Sequence, residues 1–118
     1  MTQIVGDITA VNSTLMVPCD DHFGSADVNG AASITLAAGA SGTVVLEMSQ
    51  GLDASGNDIW VQLRVFNDTT TVGAFQDTMV GAAGTQHWYA EIVGARKVRI
   101  RKSATAASCY AILTFKAA

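Results

Sequence analysis

This chain has few of the charged and histidine residues that build most catalytic sites, and it has no long apolar run of the kind that spans a membrane. Charged residues make up 14% of its 118 positions, against about 25% in an average domain. It has two histidines and a single proline, and no window approaches the roughly 18 consecutive apolar residues of a transmembrane helix. Met1–Ala10 has neither a basic start nor an apolar centre, so we expect no secretory signal and no membrane partner, with synthesis in a cytoplasm.

The two cysteines belong to no metal-binding or redox motif. Cys19 and Cys109 lie far apart and outside any C-x-x-C pair. We expect free thiols that are buried as small apolar groups, although two cysteines alone also permit a disulfide. Asp20, Asp21 and His22 follow Cys19, but adjacent ligands do not converge on one ion and no second Cys/His pair completes a site. We therefore expect no metal and no other cofactor.

Catalytic motifs are also missing. The chain has no G-x-S-x-G elbow to hold a nucleophile. The glycine-rich Gly81–Gly84 is not followed by a helical pattern, so it does not indicate a phosphate-binding loop. His87 lies in a strand pattern beside two aromatic residues, where a packed role is commonest. We predict that the protein is not an enzyme; a paired carboxylate beside His87 in a concave pocket would reverse that prediction.

What the sequence does have is strand alternation at short, regular intervals. It predicts one all-β domain over residues 1–118, an antiparallel, jelly-roll-like β-sandwich of about eight or nine strands. The fifth strand has apolar residues on both faces and is predicted to be central, and the last two strands are predicted to form a hairpin. The predicted strands are Thr2–Val11, Ser13–Val17, Ala31–Ala37, Thr43–Ser49, Ile59–Phe66, Val72–Val80, Gln86–Val93, Lys97–Lys102 and Cys109–Phe115.

The predicted core consists of the large residues that occupy one face of these strands. They are Val44, Leu46, Ile59, Val61, Leu63, Trp88, Ile92, Val98, Ile100 and Leu113.

One short segment, Arg96–Lys102, holds five of the seven cationic residues. Arg99 and Arg101 point to the same face of a strand and could clamp carboxylates. Three interpretations of this segment are open: a solvated or salt-bridged outer face, a contact between subunits or with a capsid, and a nucleic-acid site. The net charge of −3 and the lack of interleaved aromatic residues argue against nucleic acid. The partner-binding candidates here are Arg96, Lys97, Arg99 and Arg101.

The first eleven residues form a second candidate surface. The segment is strand-like, so residues 1–11 form either an arm that reaches a neighbouring subunit or an edge strand of their own sandwich. Ile4 and Ile8 share one face, and Gly6 between them allows close backbone approach. As an arm, the segment would offer Thr2, Ile4 and Ile8 to a partner.

Residues 43–118 resemble the small β-sandwich proteins of tailed-phage virions. The resemblance rests on the strand-turn-strand unit of Val44–Leu63, on the G-x-R-K-V-R-I pattern of Gly94–Ile100, and on the small-residue turn Ser103–Ser108 before a terminal strand. It is strongest to capsid decoration (cement) proteins, and tail and baseplate proteins use similar modules. It implies a structural protein on the outer capsid surface of a virion, with the major capsid protein as partner and no active site.

The resemblance also implies a homo-oligomer, with a trimer favoured over a dimer. The charge distribution agrees with that expectation, because every aspartate lies before residue 78 while the basic segment lies near the end of the chain. A different hypothesis is a carbohydrate-binding module in which Trp60, Trp88 or Tyr89 stacks on a sugar. Exposed aromatic rings favour that module, and buried rings favour the structural role.

Overall fold

Two antiparallel sheets contain most of the residues that the structure describes. A computed structural model describes residues 1–24, 27–67 and 75–118. The strands are β1 (Thr2–Asp7), β2 (Thr14–Pro18), β3 (Val28–Leu36), β4 (Thr43–Leu52), β5 (Asp58–Leu63), β6 (Val65–Phe66), β7 (Phe75–Gln76), β8 (Met79–Val80), β9 (Gln86–Ala95), β10 (Lys97–Ala104) and β11 (Tyr110–Ala117). A single turn of helix, α1 (Cys19–Phe23), follows β2. Within these ranges no helix is long and apolar enough to cross a membrane.

The strand order is that of a jelly roll. One sheet has the order β1-β11-β3-β9-β6-β7, and the other has the order β2-β10-β4-β5, with β8 paired to β4. β11 enters between β1 and β3, and β10 enters between β2 and β4, which gives the two Greek keys of that topology. The predicted all-β sandwich is therefore confirmed. Eight strands are long, and three two-residue strands bring the described total to eleven.

The core lies between the two sheets and contains most of the predicted residues. Seven of the ten are buried: Val44, Leu46, Trp88, Ile92, Val98, Ile100 and Leu113. Cys19 and Cys109 are free and buried in the same core, as predicted. Burial raises the pKa of Cys19 to about 11, so the thiol is a packing group and not a reactive thiolate.

The prediction that the fifth strand is central is wrong. β5 lies at the edge of its sheet, and the predicted strand breaks at Arg64, beyond which β6 belongs to the other sheet. Ile59 and Val61 do lie on the face that Leu46 and Met48 share on β4. At the edge that face is not covered, so Ile59 is 52% exposed and Val61 44% exposed.

The predicted hairpin of the last two strands is also wrong, because β10 and β11 lie in different sheets. A fully buried lysine, Lys102, stabilises the connection from β10 to β11. Its ammonium donates to the carbonyl of Ser41 and, at 2.9 Å, to the carbonyl of Ala107. Gly42, with φ +91°, makes room for it, since a Cβ there would lie 2.6 Å from the Lys102 Cε. Carbonyl oxygens thus replace the water that a buried ammonium loses.

Of the predicted strand Val72–Val80, residues 72–74 lie outside the described ranges. The rest of that span contains two short strands, β7 and β8.

Candidate functional site

The outer face of β10 is occupied by ion pairs within the chain. Glu47 on β4 accepts hydrogen bonds from the Nε of Arg99 at 2.9 Å and the Nε of Arg101 at 3.1 Å. Burial alone would raise the pKa of Glu47, but the hydrogen bonds from the two guanidinium groups outweigh it and hold the pKa below its ordinary value. The two arginines do clamp a carboxylate, and it belongs to the neighbouring strand.

A second carboxylate, Asp58, holds the remaining cations of this face. The Lys97 ammonium donates to the Asp58 carboxylate at 2.6 Å, and the Ser49 hydroxyl donates to the same carboxylate at 2.7 Å. One guanidinium nitrogen of Arg96 lies 3.8 Å from an oxygen of that carboxylate. Arg96 also reaches Asp20 at 3.5 Å. Burial alone would raise the pKa of Asp58, but the hydrogen bonds from Lys97 and Ser49 outweigh burial and hold the pKa below its ordinary value. All four cationic candidates of this segment are thus engaged by carboxylates of their own chain.

The N-terminal candidates are part of the fold. β1 pairs with β11 from Thr2↔Phe115 to Asp7↔Tyr110 and forms one edge of the six-stranded sheet. Ile8 is buried in the core and Ile4 packs against it, so neither side chain is presented to a neighbour. In the single chain, residues 2–7 therefore form an edge strand of their own sandwich, which is one of the two arrangements that the sequence left open. The buried Ile8 and the partly buried Ile4 account for that arrangement, because full burial of one such side chain contributes about 1.5–3 kcal/mol.

Two of the three predicted stacking aromatics are covered. Trp88 is buried, and its Nε1 donates to the Oε1 of Gln76 at 2.8 Å. The guanidinium carbon of Arg99 lies 3.7 Å from the centre of the Trp60 ring, so a cation already occupies that face. Tyr89 is the exception and is exposed.

The histidine candidate is surrounded by hydroxyl groups. The Nδ1 of His87 lies 2.9 Å from the Thr35 hydroxyl, and its Nε2 lies 3.4 Å from the Ser33 hydroxyl. Across residues 1–24, 27–67 and 75–118, no three His, Cys, Asp or Glu side chains come together as a metal site. The ligand-rich Cys19-Asp20-Asp21-His22 lies in α1, with Cys19 buried in the core.

The surface best suited to a protein partner is the β5 edge, which sequence reasoning missed. No strand in the described part of the chain pairs with the second side of β5. Most exposed edges carry a lysine, a proline or a bulge that blocks pairing with another chain. Between Asp58 and Leu63 there is no lysine and no proline, although the β4–β5 pairing is irregular between Ser49 and Leu52. The apolar side chains of Ile59 and Val61 are about half exposed at this edge. We call these six residues the β5 edge.

Comparisons with known proteins add no further constraint, since no family model, no curated protein and no solved structure matches this chain.

Proposed function

We propose that this chain is a structural protein of a tailed-phage particle, a capsid decoration protein that binds the outside of the assembled shell. Its partner is the major capsid protein, and its role is to stabilise contacts between capsid subunits. The observation that carries the proposal is the unprotected β5 edge on a jelly roll, a fold used by viral capsid domains. The phage resemblance of residues 43–118 supports the same role. Nucleic acid, membrane and substrate have no part in it.

The chemistry of the β5 edge fits strand addition. A strand of a capsid subunit that aligns with β5 would satisfy the free backbone groups of Asp58–Leu63, and pockets for Ile59 and Val61 would set the register. Full burial of a side chain of this size is worth about 1.5–3 kcal/mol, and these two are already half covered. One edge therefore binds weakly, and tight binding requires several copies that engage the lattice together.

The need for several copies on the lattice supports the expected homo-oligomer, in which a trimer is favoured over a dimer. The ion pairs of Glu47 and Asp58 change the expected basis of association, because the cations are neutralised within the chain. Association should therefore depend little on salt. Sedimentation of the purified protein at 0.1 M and 1 M salt tests this, and a monomer in both conditions would contradict it. In that case oligomers would form only on the lattice.

Mass action explains the stabilising role. A protein that binds the closed shell and not its dissociated subunits lowers the free energy of the shell, and the effect grows with its concentration. No catalytic step is needed. The protein is made in the host cytoplasm and functions on the outer capsid surface.

The experiment uses particles of the phage that encodes the chain, purified from a strain that lacks the gene. Wild-type protein should sediment with them to a fixed number of copies per capsid subunit. Val61→Asp should lower the affinity, because a charge would enter the contact. Val5→Asp is the matched control, since Val5 is 49% exposed on β1, an edge of the other sheet.

The melting temperature of each variant must stay near that of wild type for the comparison to hold. Normal binding by Val61→Asp with a loss in Val5→Asp would move the contact to β1. Failure of the wild-type protein to bind would refute the proposed function.

A further inference from the structure

A row of aromatic rings lines a cleft on the outer face of the six-stranded sheet. Tyr89, Phe66 and Phe75 lie side by side on β9, β6 and β7 as cross-strand partners. The Phe66 ring centre is 5.0 Å from that of Tyr89 and 5.7 Å from that of Phe75, in tilted and edge-to-face arrangements. The cleft has a volume of about 440 Å³, which falls within the range of small-molecule sites.

These rings are not needed by the core. Trp88 and Ala90, which flank Tyr89 in sequence, point inward and are buried. Tyr89 remains 42% exposed and Phe75 65% exposed, although each could bury a large apolar area. Exposed aromatic groups in one concave patch indicate a ligand surface.

The rim of the cleft supplies polar groups of both signs. Arg64 lies at one side, and its only ion pair among the described residues, with Asp77 at 3.3 Å, is largely exposed. Such exposed pairs are worth little and exchange readily with another acceptor. Glu91 lies on the same rim, and no hydrogen bond or ion pair within the described residues engages its carboxylate. With Asp77 beside Arg64, the described charged groups at this rim are one guanidinium and two carboxylates, which is a net negative charge.

From this combination we infer that the cleft binds a neutral pyranose sugar, as found in uncharged surface polysaccharides. A pyranose ring presents C–H groups on its face, which pack on aromatic rings, and hydroxyl groups at its edge. Those hydroxyls can donate to the Glu91 carboxylate and accept from the Arg64 guanidinium. The net negative charge of the described rim repels a carboxylate and therefore favours a neutral sugar over an acidic one.

An apolar peptide fits the cleft less well. Among the described residues the aromatic floor has three rings, with Arg64 and Glu91 at its rim, whereas an extended peptide needs pockets at alternate residues along an open strand. The three rings lie on strands of the six-stranded sheet, whereas β5 belongs to the other sheet, so the Tyr89→Ala and Val61→Asp variants test the two proposals separately.

The test is a titration of the full-length, isotope-labelled protein, followed by NMR. The probes are the neutral oligosaccharides maltoheptaose, cellohexaose and mannohexaose, with oligogalacturonate and oligosialic acid as acidic counterparts. At least one neutral sugar should shift the resonances of Tyr89 and Phe75 at concentrations up to about 10 mM, with the acidic ones weaker.

Tyr89→Ala and Phe75→Ala should each weaken that binding by about tenfold, since each removes a stacking surface. Tyr110→Ala is the matched control, because Tyr110 is an exposed aromatic residue on β11 of the same sheet that does not line the cleft. Its binding should stay within about twofold of wild type. Particle binding by Tyr89→Ala should be normal.

Three results would overturn the inference. One is that no neutral sugar binds; another is that Tyr110→Ala and Tyr89→Ala weaken binding equally. The third is that Tyr89→Ala dissociates the oligomer and leaves sugar binding unchanged, which would assign the cleft to a contact between subunits.

Discussion

The most informative stability experiment compares two leucines that face each other across adjacent strands. Leu46 on β4 and Leu63 on β5 are register partners on the inner face of their sheet. Leu46 is fully buried, with Ile100 of β10 on its other side. Leu63 is only partly buried, because no described strand lies beyond β5. The same truncation at the two positions therefore isolates the effect of the sheet edge.

The expected magnitudes follow from that difference. Leu46→Ala leaves a sealed cavity and should lower the free energy of unfolding by about 2–5 kcal/mol. Leu63→Ala opens to solvent, so it loses part of one side chain's transfer energy without a closed cavity, about 1–2 kcal/mol. A central fifth strand would instead predict similar losses at the two sites.

The measurement is urea denaturation of wild type and both variants at one protein concentration, since association stabilises the folded state. A common slope with denaturant concentration would show that the unfolded states are comparable. A loss at Leu63 equal to or larger than the loss at Leu46 would refute the assignment of β5 to the sheet edge.

Three further predictions use the same preparations. Deletion of Thr2–Asp7 should lower the melting temperature by about 10 °C or more, because it removes the partner of β11 and the core contacts of Ile4; unchanged melting would restore the free-arm interpretation. Glu47→Gln should cost about 1–3 kcal/mol at pH 7. That cost should be complete above the ordinary glutamate pKa near 4.5 and should shrink as the pH falls through the lowered folded pKa; a cost that is independent of pH between 3 and 7 would contradict the pairing. Cys19 and Cys109 should resist a thiol reagent at pH 7.5 until the protein is unfolded, and prompt labelling of either thiol in the native protein would show that it is not buried.

Local pattern was enough to predict most of the long strands, because alternating apolar and polar residues mark the buried and exposed faces of a strand. The alternation around Leu46 and Ile100 identified both the strands and the core face correctly. The sequence did not reveal which sheet each strand joins. The break at Arg64 and the crossing between β10 and β11 depend on contacts with residues distant in sequence. The apolar residues on both faces of Ile59–Phe66 therefore indicated a central strand, although in β5 the inner face is uncovered and Arg99 covers Trp60.

The candidate site was less predictable than the fold, because the partner of a charged side chain is set by the folded structure and not by its neighbours in sequence. The alternation of Arg99 and Arg101 predicted their common face, but nothing in their spacing pointed to Glu47 on another strand. Lys102 was grouped with the exposed cations, and only the carbonyls of Ser41 and Ala107 explain its burial. The aromatic cleft was signalled by Tyr89 alone, since Phe66 and Phe75 meet it through long-range pairing.

Cryo-electron microscopy of the decorated particle would test the central claim most directly. The account predicts a jelly roll on the outer surface of the shell at every equivalent lattice position. Its β5 edge should lie against a strand of the major capsid protein, with Ile59 and Val61 buried in the contact. Particles without such density, or density in which β5 faces solvent while another surface meets the capsid, would contradict it.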